Sequence, residues 1–209
     1  MPRQKRDAVL TKSKILTNAK LLFSKQGYDA TTVDDIAKNS DINKALIYYY
    51  FKNKSGLYSE VMSGLFEALY NDVMNARREC NSTLEELEIF ISSYSTYAHK
   101  HPYLPSLLLR ELSDSGAHLP EMMFASMRKF YSLLIDILKK GEEEKLFKKS
   151  IPMVIHFMIV GSLSLMVTTK PLREKAMILD ENIDTCNGCS SDEIAKYIFD
   201  NIKKSLEVR

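Results

Sequence analysis

The chain has 209 residues, 45% of them apolar, with only seven glycines and six prolines, which supports a substantial core and disfavours a strand-rich fold with many tight turns. Its net charge of +2 hides an uneven spread. Residues 1–56 hold 11 Lys/Arg against 5 Asp/Glu and the remainder holds 18 against 22, so a basic, nucleic-acid-binding head on an acidic body is expected. Cys80, Cys186 and Cys189 are too few, and odd in number, for a secreted disulfide framework. No apolar signal core follows the basic N-terminus, so the expected location is the cytoplasm.

Residues 2–7 carry Arg3, Lys5 and Arg6 and read as a basic arm, either a disordered tail or a reach to the minor groove or phosphates of DNA. Over residues 11–25, Ile15, Ala19, Leu22 and Phe23 keep helical spacing, and Gly27 is placed to end that helix. The stretch TTVDDIAKNSDINKALIYYYFKNKSG, residues 31–56, organises the rest. It predicts two short helices, over 33–40 and 44–51. Thr32 suits the N-cap of the first, with Asp35 in a weak form of the capping box and Ile36 and Ala37 on its apolar face. Asn39, Ser40 and Asp41 break that helix because short polar side chains compete for local backbone hydrogen bonds. Ile42 plugs the angle and Asn43 caps the second helix.

In that second helix Ile47 and Phe51 are four apart and share the buried face. Lys44, Ala45, Tyr48 and Tyr49 point elsewhere. Lysine neutralises phosphate, and tyrosine offers a hydroxyl to phosphate and a ring to base edges. The pattern predicts a helix-turn-helix whose second helix lies in the major groove. A helical hairpin packing its tyrosines on a neighbour is the plainer alternative.

The runs GYDATTVDDIA, residues 27–37, and NKALIYYYFKNK, residues 43–54, resemble the DNA-binding domain of the tetracycline-repressor (TetR/AcrR) family. The resemblance covers about residues 11–61. It implies an all-α chain: an N-terminal three-helix helix-turn-helix domain at 1–53, then a larger helical ligand-binding and dimerisation domain at 54–209. It implies a non-enzymatic, ligand-responsive transcriptional repressor, with double-stranded palindromic DNA, a small-molecule effector and a second copy of the chain as partners. The family's DNA contacts carry over to Thr32, Asn43, Lys44, Ala45, Tyr48, Tyr49 and Lys54. Ala45 stands where the family often has glycine, Leu46 where a small or polar residue is common, and Tyr50 where histidine is frequent. Ser55 and Gly56 replace a usual acidic start to the next helix.

The next helix is expected to run to about residue 78, burying Leu57, Val61, Leu65, Ala68, Leu69 and Val73. Lys54 near its start adds a cation to free backbone N–H groups, a suitable phosphate clamp. Ser82 and Glu85 form a capping box for a helix carrying Leu84, Leu87, Phe90, Ile91, Tyr94, Tyr97 and Ala98. Further helices are expected over 103–113 and 120–144, the latter with Met123, Met127, Phe130, Leu134, Ile137 and Leu138 on one stripe. Glu142, Glu143 and Glu144 with the following lysines read as a solvated helix end. Residues 152–168 are apolar nearly all round, so burial on every side is expected, a subunit interface being one way to achieve it; 17 residues sit at the short limit for a membrane span, and no membrane partner is expected. Met177, Ile178 and Leu179 suggest a short helix. Ser190 and Glu193 cap the last one, expected to bury Ile194, Tyr197, Ile198, Ile202 and Leu206.

Aromatic and methionine side chains crowd the middle of the chain. On composition they are ordinary core. With the resemblance, Phe66, Tyr70, Tyr94, Tyr97, Tyr103, Met123, Met127 and Tyr131 become the expected lining of a pocket for an apolar or aromatic effector, with His99 and His156 as candidate polar anchors. No catalytic motif, cofactor or metal set is expected. The rival reading is a redox or metal sensor using Cys186 and Cys189, a C-x-x-C pair preceded by Asp180 and Asp184 but lacking a second C-x-x-C or a fitting histidine pair nearby. An adaptor that turns the helix-turn-helix on a protein is a third reading, and the local basic charge speaks against it.

Overall fold

The computed structural model describes residues 3–179, 186 and 188–208. Among them there are helices and one isolated antiparallel bridge, Phe147 with Glu207, and no strand. The helices are α1 (Arg3–Ala30), α2 (Val33–Ser40), α3 (Lys44–Phe51), α4 (Lys54–Arg77), α5 (Thr83–Lys100), α6 (Tyr103–Ser113), α7 (Glu121–Glu143), α8 (Pro152–His156), α9 (Ser162–Thr168), α10 (Lys170–Leu179) and α11 (Ser191–Leu206). A π-helical turn, Phe157–Gly161, joins α8 to α9. The all-α fold expected from the sequence is what forms. The described residues fall into two compact units: those up to Phe66 with Ser106–Ser126, and Glu67–Pro105 with those from Met127 onward.

In the first unit, Ile15, Ala19 and Phe23 of α1 are fully buried. The helix begins at Arg3, so the backbone of residues 3–7 is helical rather than a loose arm; Pro2 lies outside the described residues. Gly27 bends the chain at φ 87°, ψ 175°, a region where only glycine is free of steric penalty. Just before the bend, Arg110 of α6 donates from Nε to Ser24 O (3.2 Å) and from Nη2 to Lys25 O (2.8 Å), satisfying carbonyls that a helix end leaves without partners. Gly56 has a steric role that composition hides. A Cβ there would lie 2.2 Å from the carbonyl oxygen of Phe51, so the α3–α4 corner closes only around a glycine. In α4, Tyr58, Met62 and Ser63 are buried along with the expected leucines and valines, while Ala68 is exposed.

In the second unit α5 is the centre, packed against α11 and α9. Phe90 stacks on Phe130 of α7 at 4.7 Å, and Ser95 Oγ donates to Ser191 O at 2.8 Å. Ser82 caps Glu85 N–H, but the Glu85 carboxylate accepts from Asn81 N at 2.6 Å rather than from Ser82, so the expected box is only half made. At Ser190 and Glu193 it is complete, and these backbone and side-chain hydrogen bonds hold the Glu193 carboxyl below its ordinary value. Helix α11 buries Ile194, Ala195, Phe199, Ile202 and Leu206, and Tyr197 is 70% exposed, contrary to expectation. Ile194, Ile202 and Leu206 are buried as predicted, and Ala195 and Phe199, rather than Tyr197, complete the buried side.

The acidic end of α7 is not merely solvated. Thr83 Oγ1 donates to Glu144 at 2.5 Å. The chain then turns Phe147 inward, 4% exposed, over Gly141, where a Cβ would meet its ring at 2.0 Å. Lys148 N donates to Leu206 O at 2.8 Å. Nearby, Glu86 lies between Arg77 and Lys140, accepting from Arg77 Nε at 2.5 Å and Lys140 Nζ at 2.7 Å. Burial raises its carboxyl pKa, but the two cations outweigh that and hold it below the ordinary value.

Within the single chain, residues 152–168 are not enclosed on every side. Met153, Val154, Phe157, Met158 and Leu165 are all 43–60% exposed. Helix α10 buries nothing, and Ile178 and Leu179 stand in the open. Among the described residues no single helix is long and apolar enough to cross a membrane; one pair, Pro152–Thr168 with Lys170–Leu179, passes that test only together and is bent by 61°.

Candidate nucleic-acid interface and ligand-binding region

The turn between α2 and α3 is built from its polar residues. Thr32 Oγ1 accepts from Asp35 N (3.1 Å), and Asp35 Oδ2 accepts from Thr32 N (3.1 Å) and from the Thr32 hydroxyl (2.6 Å). The Thr32 hydroxyl and backbone N–H lower the Asp35 pKa, in that order. Asp41 ends α2 in the left-handed region, φ 50°, and Ile42 N returns to Ala37 O at 3.0 Å, the closure that satisfies the last carbonyls of a helix. Asn43 Oδ1 then accepts from Ala45 N at 2.8 Å and starts α3.

Helix α3 is anchored by Ile47 (0% exposed) and Phe51 (4%), as its spacing predicts. That leaves Ala45, Leu46, Tyr48 and Tyr49 outside, Tyr49 at 78% exposure. Lys44 Nζ is paired with Asp34 and lies 5.9 Å from the Tyr48 ring centroid. Thr32 and Asn43 are both exposed. Lys54, expected as a phosphate clamp, turns its ammonium back: Nζ donates to Tyr28 O at 3.0 Å and sits 4.1 Å from the Tyr28 ring centroid. Six of the seven expected contact residues thus share the α2–α3 surface, and the Lys54 side chain is engaged with the chain itself.

The eight residues expected to line an effector pocket are distributed over both units. Phe66 and Met123 are buried in the first unit; Tyr70, Tyr94, Tyr97, Tyr103, Met127 and Tyr131 belong to the second. Within the second unit Tyr94 and Tyr131 converge on Phe130 and His156. Tyr94 lies 5.9 Å from Phe130, and Tyr131 lies 5.1 Å from the His156 ring. Tyr94 is buried, with its hydroxyl 2.6 Å from Ser164 Oγ; burial pushes its pKa up to about 12. His156 has a buried Nδ1 with no hydrogen-bond partner among the described residues, and burial lowers its pKa to about 4. It directly precedes the π-helical turn, a local distortion that recurs at functional sites. Tyr97 instead lines a polar surface cavity of about 180 Å³ with Asp72, Ser92, Thr96 and Lys100. The hydrogen bond between Tyr94 and Ser164 spans 70 residues, so no local signal in the sequence announces it.

Cys186 and Cys189 are joined by a disulfide, with Cα atoms 5.3 Å apart; Asp180, Asp184 and Asn187 lie outside the described residues. Among those described, no group of three or more His, Cys, Asp or Glu side chains is placed to hold a metal.

Comparison with known proteins agrees with this geometry. Residues 15–61 match the sequence model described as "Bacterial regulatory proteins, tetR family". The chain is 32% identical over 139 residues to the probable HTH-type transcriptional regulator YttP of Bacillus subtilis, covering 66% of this chain and 67% of that protein. It is 40% identical over 83 residues to IcaR, the HTH-type negative transcriptional regulator of the biofilm operon icaADBC in Staphylococcus aureus, covering 40% of this chain but only 45% of IcaR. Its fold matches the crystal structure of the transcriptional regulator FadR from Bacillus subtilis in complex with stearoyl-CoA, at a TM-score of 0.71 and 19% identity, over 93% of this chain and 99% of that one. These relatives are named as transcriptional regulators, and the chain belongs to the tetR family of transcriptional regulators.

Proposed function

We propose that the protein is a homodimeric repressor that reads a palindromic operator with α3 and is released from it by a small apolar or aromatic effector. The observation that carries the DNA reading is the exposure of Tyr49 and Tyr48 on a helix whose other face is locked by Ile47 and Phe51. In this reading Lys44, Thr32 and Asn43 hold phosphates, Tyr48, Tyr49 and Ala45 meet base edges, and Lys54 contributes after its ammonium leaves the Tyr28 carbonyl. The named role of IcaR as a negative regulator supports repression over activation.

The effector reading rests on Tyr94, Phe130, Tyr131 and His156, an apolar setting with an unpartnered ring nitrogen available to a ligand's polar group. That FadR binds an acyl-CoA supports an apolar moiety in the ligand. Whatever binds must prefer the DNA-incompetent state, and its effect is bounded by that preference. Dimerisation is supported by the stripe Val154, Phe157, Met158 and Leu165, all left open at helical spacing. Paired subunits mirror the twofold of a palindrome.

Fluorescence anisotropy on DNA from upstream of the protein's own gene, over a salt series and against scrambled DNA, tests the reading. The expected outcome is saturable, sequence-selective binding that weakens steeply with salt. Binding that is equally weak on all DNA, with Tyr49→Ala and Lys44→Ala indistinguishable from the parent, would remove α3 from the role. The disulfide favours redox over metal in the sensor alternative; operator affinity that changes with a thiol reductant would bring that alternative forward.

A further inference from the structure

A cavity of about 210 Å³ lies inside the first unit, at the Gly27 bend, walled by Tyr28, Tyr58, Leu107, Glu111 and Asp114. Glu111 is 3% exposed. One of its carboxylate oxygens takes the hydroxyl of Tyr58. The other, Oε2, is buried with no hydrogen-bond partner among the described residues. A buried carboxylate in that condition is costly unless a donor or a positive charge meets it.

The protein's own cations at this corner are engaged elsewhere. Arg110, the next residue in α6, spends its guanidinium on Ser24 O and Lys25 O, and Lys54 donates to Tyr28 O. His118 Nε2 is 3.2 Å from Asp29 Oδ1. The lining therefore holds three carboxylates, Asp29, Glu111 and Asp114, against one guanidinium. Buried Tyr58 and Leu107 supply an apolar wall, which suits an organic cation better than a hydrated metal ion. We infer that the cavity is a binding site for a compact organic cation, an ammonium or amidinium of up to about ten heavy atoms, whose N–H groups complete Glu111. The size follows from scale, since a cavity of about 150 Å³ holds benzene. The site is independent of the effector region around His156, which belongs to the other unit.

Titration calorimetry of the full chain with benzamidine, and with the neutral benzamide of the same shape, tests this. Saturable benzamidine binding at one per chain is expected, with benzamide at least tenfold weaker. Glu111→Gln keeps the acceptor for Tyr58 but removes the charge, and is expected to weaken benzamidine at least tenfold. Leu107→Phe fills the cavity and is expected to do the same, and it decides the matter if the glutamine variant fails to fold. No saturable binding, equal binding of the neutral compound, or benzamidine affinity unchanged in Leu107→Phe or in a folded Glu111→Gln overturns the proposal.

Discussion

Lys44 Nζ lies 2.7 Å from Asp34 Oδ2, so the first residue of α3 is tied to the first turn of α2. The hydrogen bond from the ammonium to Asp34 raises the Lys44 pKa. Both side chains are largely open to solvent, at 43% and 71%, and solvent-screened pairs of this kind contribute little to stability. A phosphate can therefore displace Asp34 at little cost. Asp34→Ala is expected to tighten DNA binding about two- to fivefold, by freeing the ammonium and removing a negative charge. Lys44→Ala is expected to weaken binding to all sequences and reduce the salt slope by about 1. Anisotropy over a salt series reads both, and an unchanged slope in Lys44→Ala would take that residue off the phosphates.

Two glycines of α4 separate steric need from helix propensity. Replacing a mid-helix glycine by alanine is worth about 0.5–1 kcal/mol in backbone terms. At Gly64 nothing lies within 4 Å of the added methyl, so Gly64→Ala is expected to stabilise by that amount. At Gly56 the methyl meets the Phe51 carbonyl oxygen, and forcing the corner open is expected to cost about 1–3 kcal/mol, outweighing the propensity gain. Urea midpoints of the two variants should move in opposite directions. Loss of operator binding in Gly56→Ala with an unchanged midpoint would mean that the glycine serves DNA approach instead of closure.

The reach of the sequence follows from the range of the forces involved. The helix-turn-helix is local: Thr32 with Asp35, Asn43 with Ala45, and Ile47 with Phe51 are all within four residues, and each was legible in advance. The corner at Gly56 depends on a carbonyl five residues back in a turn whose shape no spacing rule supplies. Pocket lining is hard to read from a sequence for a different reason. Aromatic and methionine residues look alike whether they fill a core or line a cavity, and only the partners distinguish Tyr94, bonded to Ser164, from Tyr97 on its polar cavity. Tyr197 was misplaced because α11 carries apolar residues over more than one face, and the side packed on α5 is chosen by tertiary contact.

His156 gives the second unit a pH dependence of definite sign. Burial lowers its pKa from 6.5 to about 4, so the unfolded chain takes up the proton first. Stability is full above about pH 6.5, declines as pH falls toward 4 and levels off below it. Between pH 7.5 and 5 the loss is expected to be about 2 kcal/mol. Glu86 contributes in a lower window: its carboxyl pKa is held down from 4.5, so its contribution is present above that value and lost below it. His156→Phe should therefore remove most of the slope between pH 7.5 and 5 while leaving the acid limb in place. Equal slopes for parent and variant in urea melts would show that His156 is solvated.

The open stripe on the 152–168 segment predicts the oligomeric state. Phe157 is 60% exposed, and Val154, three residues before it, with Met158 and Leu165, one and eight after it, extend the open apolar surface. An exposed apolar row of this length is a liability unless another surface covers it. If the cover is a second copy, a charge at the centre of the row must be desolvated twice, once per subunit, which isologous symmetry enforces. Phe157→Glu is expected to convert a dimer to a monomer in sedimentation equilibrium, with helical circular dichroism retained because the residue contributes little to its own chain's core. Operator affinity should fall with it, since the two reading helices then bind as separate heads. A variant that stays dimeric and keeps full affinity would place the subunit contact on some other face, with the exposed side of α10, Leu172, Ile178 and Leu179, the next to mutate.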